Sequence, residues 1–359
     1  MRILIVRLSS IGDIVHALPA LAAIRRALPN AEISWAAERP AVEILRDNPS
    51  LDHLIEVDTK AVRRVSMSGE TLLAPRQQLR RLRASSFDAA LDLQGLFKSA
   101  MIARLARARR TYGFAREASR EPLSRLLLKE TIRVPLREHV IAKNLALVAG
   151  ALNISVPINP TDFEFPIGVG SQHQREANEA LRGHEFDYAI LNPGGGWPTK
   201  LWSVEKFGAL ADELWTNHRL RSIVAYGPGE EHLAASVMQA SRSGKASAAK
   251  LSLKGFYALA KHASLYVGGD TGPTHLAMAA NAPIVGLFGP TEWWFNGSPC
   301  ADDICVERTE IECRIDCNRR ACSNWICMDI EVGSVLAAAS ERLRRAQKFT
   351  AELESAVVA

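Results

Sequence analysis

The strongest constraint in this sequence is a repeated alternation between short, continuous apolar runs and longer stretches of helical periodicity. The runs are RILIVRL, AEISWAA, HLIEVD and FDAALDLQG in the first half, and FDYAILNPG, RSIVAYGPG, SLYVGGD and PIVGLFGP in the second. Continuous apolar strands that alternate with amphipathic helices are typical of parallel sheets covered by helices on both faces. The chain is therefore predicted to be α/β, with two doubly wound sheets in tandem.

A Pro- and Gly-rich segment, GALNISVPINPTDFEFPIGVGSQ, separates the two series and is interpreted as a linker. The 359 residues suffice for two domains that each bury a core. We expect an N-terminal domain over 1–168, a C-terminal domain over 169–330 and a long helix over 331–359. Doubly wound sheets bind ligands at the carboxyl ends of their strands, so the active site is expected in the cleft between the domains.

Charge and apolar content restrict the class of protein. No window approaches the ~18 uninterrupted apolar residues that a membrane span needs, and the N-terminus lacks the pattern of a signal peptide. The net charge of +5 is too mild for a dedicated nucleic-acid binder but suits an anionic surface or substrate. We expect a cytoplasmic protein that does not bind nucleic acid.

All six cysteines lie between Cys300 and Cys327, and their spacing contains no CxxC pair. Reduced thiols in an irregular segment are the favoured interpretation, with a metal site as the alternative. The sequence also lacks GxxxxGK[ST], a GxGxxG at the first strand, GxSxG and HExxH, which argues against P-loop, ordinary dinucleotide-binding, esterase and zincin chemistry.

The first polar turn is SSIGD, Ser9 to Asp13, directly after the first predicted strand. Its serines and Asp13 lie where a helix begins, so they are ordinary candidates for helix capping. A carboxylate at this end of a strand can alternatively accept a proton from an incoming hydroxyl, as a base that the helix dipole keeps modest. Both roles remain open for Asp13.

A second polar turn, GGDTGPTH, follows the strand LYV and holds Asp270, Thr271, Gly272 and His275. Free N–H groups of Thr271 and Gly272 at a helix start would form an anion site suited to a diphosphate, with Pro273 at the first helical position. The alternative is a capped helix that carries a histidine satisfied in the core.

Two further turns follow strands of the second half. In NPGGGWPTKLW, Lys200 offers a point charge to phosphate, while Trp197 and Trp202 are more simply packing anchors than base-stacking platforms. In AYGPGEEHL, Glu230 or Glu231 can accept hydrogen bonds from ribose hydroxyls, or the pair simply favours a helix N-terminus.

Five motifs, some of them in the turns described above, together resemble a known family. RILIVRLSSIGDIVHALPAL, DLQGLFKSA, SREPL, TKLWSVEKF and GGDTGPTHLAMA occur in the order seen in the family 9 glycosyltransferases, the ADP-heptose:lipopolysaccharide heptosyltransferases. The resemblance covers residues 1 to 290, and SSIGDIVHALPAL is most similar to the type I enzymes. It implies a GT-B fold of two Rossmann-like domains facing across a cleft, with the acceptor on the N-terminal and the ADP-sugar on the C-terminal domain.

The resemblance also implies roles and partners. The reaction would be inverting and would need no metal or other cofactor, with heptose passing from ADP-heptose to Kdo-lipid A in the lipopolysaccharide inner core. Asp13 would be the catalytic base, and either Glu230 or Glu231 would hold the ribose. The remaining donor-site residues implied by the family are Lys200, Asp270, Thr271, Gly272 and His275. The implied acceptor-site residues are Ser10, Gly12, Arg63, Arg64, Lys98 and Arg120, with more basic charge in the run PRQQLRRLRA.

The cysteine-rich tail departs from the type I pattern and is shared with type II and other family 9 members. A type II enzyme acting on a heptosylated inner core, or another family 9 transferase with a different acceptor, is therefore an alternative. A non-catalytic module that binds nucleotide-sugars is the rival from another class. Because the acceptor is anchored in lipid, the resemblance implies peripheral association with the anionic inner face of the inner membrane.

Overall fold

The computed structural model describes residues 1–59, 82, 86–182, 186–314 and 317–358. The chain divides into two compact units, Met1–Gly168 and Val169–Ala359. Each unit has its own parallel sheet and its own apolar core.

The first unit has six described strands that all pair in parallel. They are β1 (Arg2–Val6), β2 (Glu32–Ala37), β3 (His53–Glu56), β4 (Ala89–Asp92), β5 (Arg110–Phe114) and β6 (Glu130–Ile132). The helices are α1 (Ile11–Val15), α2 (Leu18–Ala27), α3 (Arg39–Leu45), α4 (Phe97–Leu105) and α5 (Val140–Leu152), with 3₁₀ helices at Pro122–Leu127 and Pro160–Asp162. The strand order is β3-β2-β1-β4-β5-β6, so the direction of winding reverses between β1 and β4.

The second unit repeats this topology. Its strands are β7 (Tyr188–Asn192), β8 (Arg221–Tyr226), β9 (Ala246–Lys250), β10 (Leu265–Gly269), β11 (Ile284–Phe288) and β12 (Ile304–Glu307). Its helices are α6 (Ser171–Ala180), α7 (Val204–His218), α8 (Glu231–Ala240), α9 (Leu253–Ala260), α10 (Gly272–Ala279), α11 (Trp293–Asn296) and α12 (Val332–Val358), with 3₁₀ helices at Pro198–Lys200, Glu312–Arg314 and Ile326–Met328. The order β12-β11-β10-β7-β8-β9 places the reversal between β7 and β10.

The central strands are buried on both faces, as their continuous apolar sequences predict. Ile3 to Val6 of β1 have no exposed surface, and all five residues of β10 are buried. The predicted class of two doubly wound α/β sheets is therefore confirmed. Ligands of such sheets bind where the winding reverses. Ligand sites are therefore expected at the carboxyl ends of β1 and β4 and of β7 and β10.

The C-terminal helix α12 covers part of the core of the second unit. Val335 and Ala339 are fully buried in that core, and Arg342 forms an ion pair of 2.7 Å with Asp303. The helix predicted over 331–359 thus exists and packs onto the second unit. Among the described residues, none of the helices is both long and apolar enough to span a membrane.

Candidate functional site

The first unit gathers opposite charges where β1 and β4 end. Arg7 follows β1, and its guanidinium Nη2 lies 2.6 Å from Oδ1 of Asp13 on α1. Arg120 reaches the same carboxylate from the loop after β5, with 2.9 Å from Nη2 to Oδ1 and 3.3 Å from Nη1 to Oδ2. Arg7 is 2% exposed and Arg120 is 45% exposed, so one cation is fixed in the core and the other lies at the surface.

Two guanidiniums decide the protonation state of Asp13. Burial alone would raise the pKa of this carboxyl, but the charges of Arg7 and Arg120 outweigh burial and hold the pKa well below its ordinary value. Asp13 is therefore an anion at any physiological pH. Its side chain keeps 16% of its surface exposed.

Asp13 also makes the capping contact that the sequence offered as the simpler role. Its Oδ2 accepts a hydrogen bond of 3.1 Å from the backbone N–H of Ser10, which precedes α1. Capping therefore occurs together with the arginine contacts, because Oδ1 accepts from Arg7 and Arg120 while Oδ2 accepts from Ser10 N–H and Arg120. The role of Asp13 as a base stays a prediction.

The predicted acceptor residues lie in different surroundings. Ser10 is exposed and Gly12 is buried beneath it in α1. Lys98 on α4 is 2.8 Å from Glu38 Oε1 and 3.4 Å from Ser9 Oγ, so it lies at the same strand ends as the Asp13 cluster. Two other predicted cations, Arg63 and Arg64, lie outside the described residues, as does most of the run PRQQLRRLRA.

Three residues of the Asp13 cluster have no role in the sequence-based prediction. Arg7 lies in the first apolar run, and Asp92 and Gln94 lie in the motif DLQGLFKSA. Gln94 joins the two strand ends, because its Oε1 accepts from Leu8 N at 2.9 Å and its Nε2 donates to Ser9 O at 3.0 Å. The available signal was a polar residue directly after an apolar run, at Arg7 and again at Asp92.

Asp92 is fully buried at the end of β4. Its Oδ1 accepts the N–H groups of Gln94 at 3.0 Å and Gly95 at 3.2 Å, while Oδ2 has no hydrogen-bond partner within the described residues. Burial raises the pKa of Asp92 to about 6, although hydrogen bonds from Gln94 and Ser99 oppose the rise. Glycine is favoured at position 95 in this turn, because the φ of +67° is strained for residues that carry a side chain.

The second unit has an equivalent cluster around Asp270, directly after β10. Lys200 Nζ lies 2.5 Å from Oδ2 of Asp270. On the other oxygen, Oδ1, Asp270 meets His275 Nε2 at 3.2 Å and Asn296 Nδ2 at 2.9 Å. Burial raises the pKa of Asp270, but its contacts with His275 and Lys200 outweigh burial and hold the pKa far below the ordinary value. Asp270 therefore fixes both Lys200 and His275 in place.

Helix α10 starts beside this cluster. Thr271 precedes the helix, and Gly272 is its first residue, so the amides predicted to bind phosphate are at the helix N-terminus. Pro273 occupies the second helical position instead of the first, because the helix begins at Gly272. Thr271 Oγ1 is 3.3 Å from Asn192 Oδ1, which joins the ends of β10 and β7.

The structure separates the two acidic candidates, Glu230 and Glu231. Glu230 Oε2 accepts from Gly227 N at 2.9 Å, and its carboxylate covers Gly194 so closely that a Cβ there would be 2.2 Å from Oε1. Glu231 instead points to the surface and pairs with Lys250 at 2.9 Å. Of the two, Glu230 lies at the carboxyl ends of β7 and β8, where a ribose is expected.

The tryptophans and cysteines surround the Lys200 loop. Trp202 is 3% exposed and donates to Ile330 O at 2.9 Å, which fits a packing anchor, whereas Trp197 lies under Lys200 Nζ at 4.1 Å. All six cysteines are free, and four of them line one cavity together with Thr199. Those four are Cys313, Cys317, Cys322 and Cys327. In the described part of the chain, no three His, Cys, Asp or Glu side chains are arranged to hold a metal ion.

Comparison with known proteins places this chain in a family. Residues 76–325 match the model of glycosyltransferase family 9 (heptosyltransferase). The chain belongs to glycosyltransferase family 9. The match covers the Lys98, Arg120, Lys200, Glu230 and Asp270 regions, whereas the Asp13 region lies before it.

Individual relatives agree with this assignment. The chain is 29% identical to lipopolysaccharide heptosyltransferase 1 of Pseudomonas aeruginosa over 86% of this chain and 87% of that protein. It is also 29% identical to lipopolysaccharide heptosyltransferase 1 of Escherichia coli K12, over 81% and 89%. The solved structure of E. coli heptosyltransferase WaaC with ADP has a TM-score of 0.76 at 25% identity, covering 95% of this chain and all of that one. The predicted GT-B class of this family 9 enzyme is thereby confirmed.

Proposed function

We propose that this family 9 enzyme transfers L-glycero-D-manno-heptose from ADP-heptose to Kdo-lipid A of the lipopolysaccharide inner core, with inversion at the anomeric carbon. The observation that carries the proposal is an accessible, permanently ionised carboxylate, Asp13, at the winding reversal of the first sheet. Its relatives include lipopolysaccharide heptosyltransferases 1 from two organisms, and a solved relative, WaaC, holds ADP.

The second unit supplies what an ADP-sugar needs. Lys200 offers a positive charge that Asp270 holds in position, and the N–H groups at the start of α10 offer hydrogen bonds to a diphosphate. Glu230, whose Oε2 accepts from Gly227 N, would accept hydrogen bonds from the ribose hydroxyls. As the bond to the sugar breaks, negative charge develops on the leaving diphosphate, and these groups stabilise that charge.

Asp13 would accept the proton of the acceptor hydroxyl as its oxygen attacks the anomeric carbon. A carboxylate held by two arginines is a weak base, but an alcohol becomes much more acidic while its oxygen bonds to an oxocarbenium-like carbon. One displacement therefore forms the new glycosidic bond, releases ADP and leaves the proton on Asp13. Because Lys200 and the helix amides neutralise the diphosphate, we propose that the reaction needs no metal ion.

Acceptor type and location are part of the same proposal. The relatives at 29% identity are type 1 enzymes, which supports Kdo-lipid A over a heptosylated acceptor. A lipid-borne acceptor would require the enzyme to work at the cytoplasmic face of the inner membrane.

The test is ADP release from ADP-heptose with and without Kdo-lipid A. Asp13→Asn should lower kcat by roughly 10² to 10⁴-fold while the KM for ADP-heptose stays unchanged, which is the usual effect of losing a general base. Asp88→Asn, the same substitution at an exposed site in the first unit, is the matched control and should keep full turnover.

Each rival has its own outcome. Near-normal turnover of Asp13→Asn would leave Asp13 as a helix cap only. Turnover with a heptosylated acceptor alone would assign the type II reaction, and binding of ADP-heptose without any transfer would assign a non-catalytic module.

A further inference from the structure

The exposed apolar side chains of the first unit are concentrated in the segments that follow β4, β5 and β6. Phe97 is 47% exposed, Leu123 is 70%, Leu126 is 64% and Leu136 is 53%. Large apolar side chains that stand in water without a partner mark interaction surfaces when they cluster. These segments start at the carboxyl edge of the sheet, the edge that also holds Asp13.

The 3₁₀ helix Pro122–Leu127 buries a serine and exposes two leucines. Ser124 is 1% exposed and lies 3.0 Å from Ser119 Oγ, whereas Leu123 and Leu126 face water. Side chains three residues apart eclipse in a 3₁₀ helix, so these two leucines share one face. Folding of the unit alone would favour the opposite arrangement, since burying a leucine contributes more than burying a serine.

Short contacts fix this helix to the Asp13 cluster. Glu121, the residue before it, donates its N–H to Gly95 O at 2.9 Å and accepts the N–H of Phe97 at 2.5 Å. Arg120, one residue earlier, binds Asp13. Leu123 is three residues from Arg120, so their Cα atoms lie within about 11 Å of each other.

The charge around the two leucines is positive. Residues 116–129 contain four basic side chains and two acidic ones: Arg116, Arg120, Arg125 and Lys129 against Glu117 and Glu121. Arg125 lies between the two leucines and is exposed. Apolar side chains flanked by cations bind the surface of an anionic bilayer, where the apolar groups enter the acyl boundary and the cations meet the headgroups.

We propose that Leu123 and Leu126, with Arg125 between them and Phe97 beside them, dock the first unit onto an anionic phospholipid bilayer. The inference rests on the proposed function, because a lipid-borne acceptor must reach Asp13 from the membrane surface. It adds the face and the residues that make the contact. The docking face and Asp13 then lie close enough for a short headgroup to reach the carboxylate.

The experiment measures binding of the full chain to vesicles of phosphatidylethanolamine with and without phosphatidylglycerol. The double variant Leu123→Ser, Leu126→Ser should bind the anionic vesicles about 100-fold more weakly, about tenfold for each leucine. Ile158→Ser is the matched control, because Ile158 is 87% exposed in the first unit. It lies in the segment after α5, where Glu164 pairs with Arg26 at the C-terminal end of α2, the end away from Asp13. Arg125→Gln should weaken binding to anionic vesicles only.

A kinetic arm separates this inference from the proposed function. With Kdo-lipid A in vesicles, the leucine double variant should raise the acceptor KM, while kcat and the KM for a deacylated, water-soluble acceptor stay unchanged. Absence of transfer to either acceptor by the unaltered enzyme would refute the proposed function. The vesicle-binding experiment would still test the docking surface in that case.

Three results would contradict the proposed docking surface. The first is equal vesicle binding by the double variant and the unaltered enzyme, and the second is a loss of vesicle binding in Ile158→Ser equal to that in the double variant. The third is a dimer of the unaltered enzyme that dissociates in the double variant. The last result would assign the two leucines to contact with a second copy of the chain. Matching melting temperatures of all variants would show that the substitutions act at the surface and not through folding.

Discussion

Replacement of Asp92 by Asn should remove a pH-dependent loss of stability from the first unit. Asp92 is fully buried at the end of β4, and one of its oxygens, Oδ2, has no hydrogen-bond partner within the described residues. Asn keeps the shape and the Oδ1 acceptor that holds the N–H groups of Gln94 and Gly95. The substitution therefore removes the ability to ionise while preserving the turn.

The size and sign follow from the pKa. Burial raises the pKa of Asp92 from 3.8 to about 6 in the folded chain. Between pH 3.8 and about pH 6 the folded state therefore binds more protons than the unfolded state. The stabilisation from protonated Asp92 is fully present below pH 3.8 and is lost as the pH rises through about 6. The difference corresponds to ~3 kcal/mol in the free energy of unfolding. Asn cannot lose a proton and escapes this decline.

The assay is urea unfolding of the first unit at about pH 4 and about pH 7.5. Trp35 is the one tryptophan among residues 1–168, so ¹⁹F NMR of protein labelled with fluorotryptophan reports that unit alone. The stability of Asp92→Asn relative to the unaltered chain should improve by up to ~3 kcal/mol between the lower and the higher pH. Asp88→Asn is the control of opposite sign, because Asp88 accepts the N–H of Arg2 at 2.8 Å and its pKa is lowered. An equal difference between Asp92→Asn and the unaltered chain at both pH values would refute the argument.

Three further outcomes are expected. Arg7→Lys should lower the free energy of unfolding by ~1–3 kcal/mol in the same assay, since one ammonium cannot reproduce the donors that reach both Leu93 O and Asp13. Glu230→Gln should raise the KM for ADP-heptose several-fold, whereas Glu231→Gln, whose carboxylate pairs with Lys250, should leave it unchanged in steady-state kinetics. Activity should survive EDTA in the ADP-release assay, and a loss that Mg²⁺ restores would contradict the proposed metal-free reaction.

The sequence predicted eight strands, most of them central, because burial on both faces requires a continuous apolar run. All eight runs form strands in the structure, among them the fully buried β10. The four additional strands are β5, β6, β9 and β12, which lie toward the edges of the sheets. In β9 only Ala249 is buried, so its sequence, ASAAK, carries no apolar run. Pairing with a neighbour, and not local composition, makes such a segment a strand.

The candidate site was predictable where a polar turn follows a strand, and less so where function depends on pairing across the fold. Asp13, Lys200 and Asp270 lie in such turns, and the topology brings Lys200 and Asp270 together. Arg7 and Asp92 also follow apolar runs, but a charge in that position usually meets solvent. Their burial depends on the register that places Val6 of β1 opposite Asp92 of β4, which no local pattern records.

Adjacent residues at a helix start show the same limit. Glu230 and Glu231 are equivalent in sequence, since both carry a carboxylate at the beginning of α8. Glu230 precedes α8 and Glu231 is its first residue, so the two side chains leave the backbone in different directions. The contact of Glu230 with Gly194 on the β7 loop decides which one faces the sheet.

The pH dependence of turnover is where the electrostatics of Asp13 become measurable. From the sequence, the helix dipole is the expected cause of a low pKa at Asp13. In the structure, the charges of Arg7 and Arg120 lower this pKa. A carboxyl with a pKa below its ordinary value stays ionised down to about pH 4, so kcat/KM should not fall on acidification above that pH because of Asp13. Arg120→Met removes the exposed one of the two cations and should move the acid limb to higher pH, since only Arg7 and the N–H of Ser10 then oppose burial. An acid limb near pH 6 that persists in Asp92→Asn, or an acid limb that Arg120→Met leaves in place, would show that these arginines do not set the ionisation of the base.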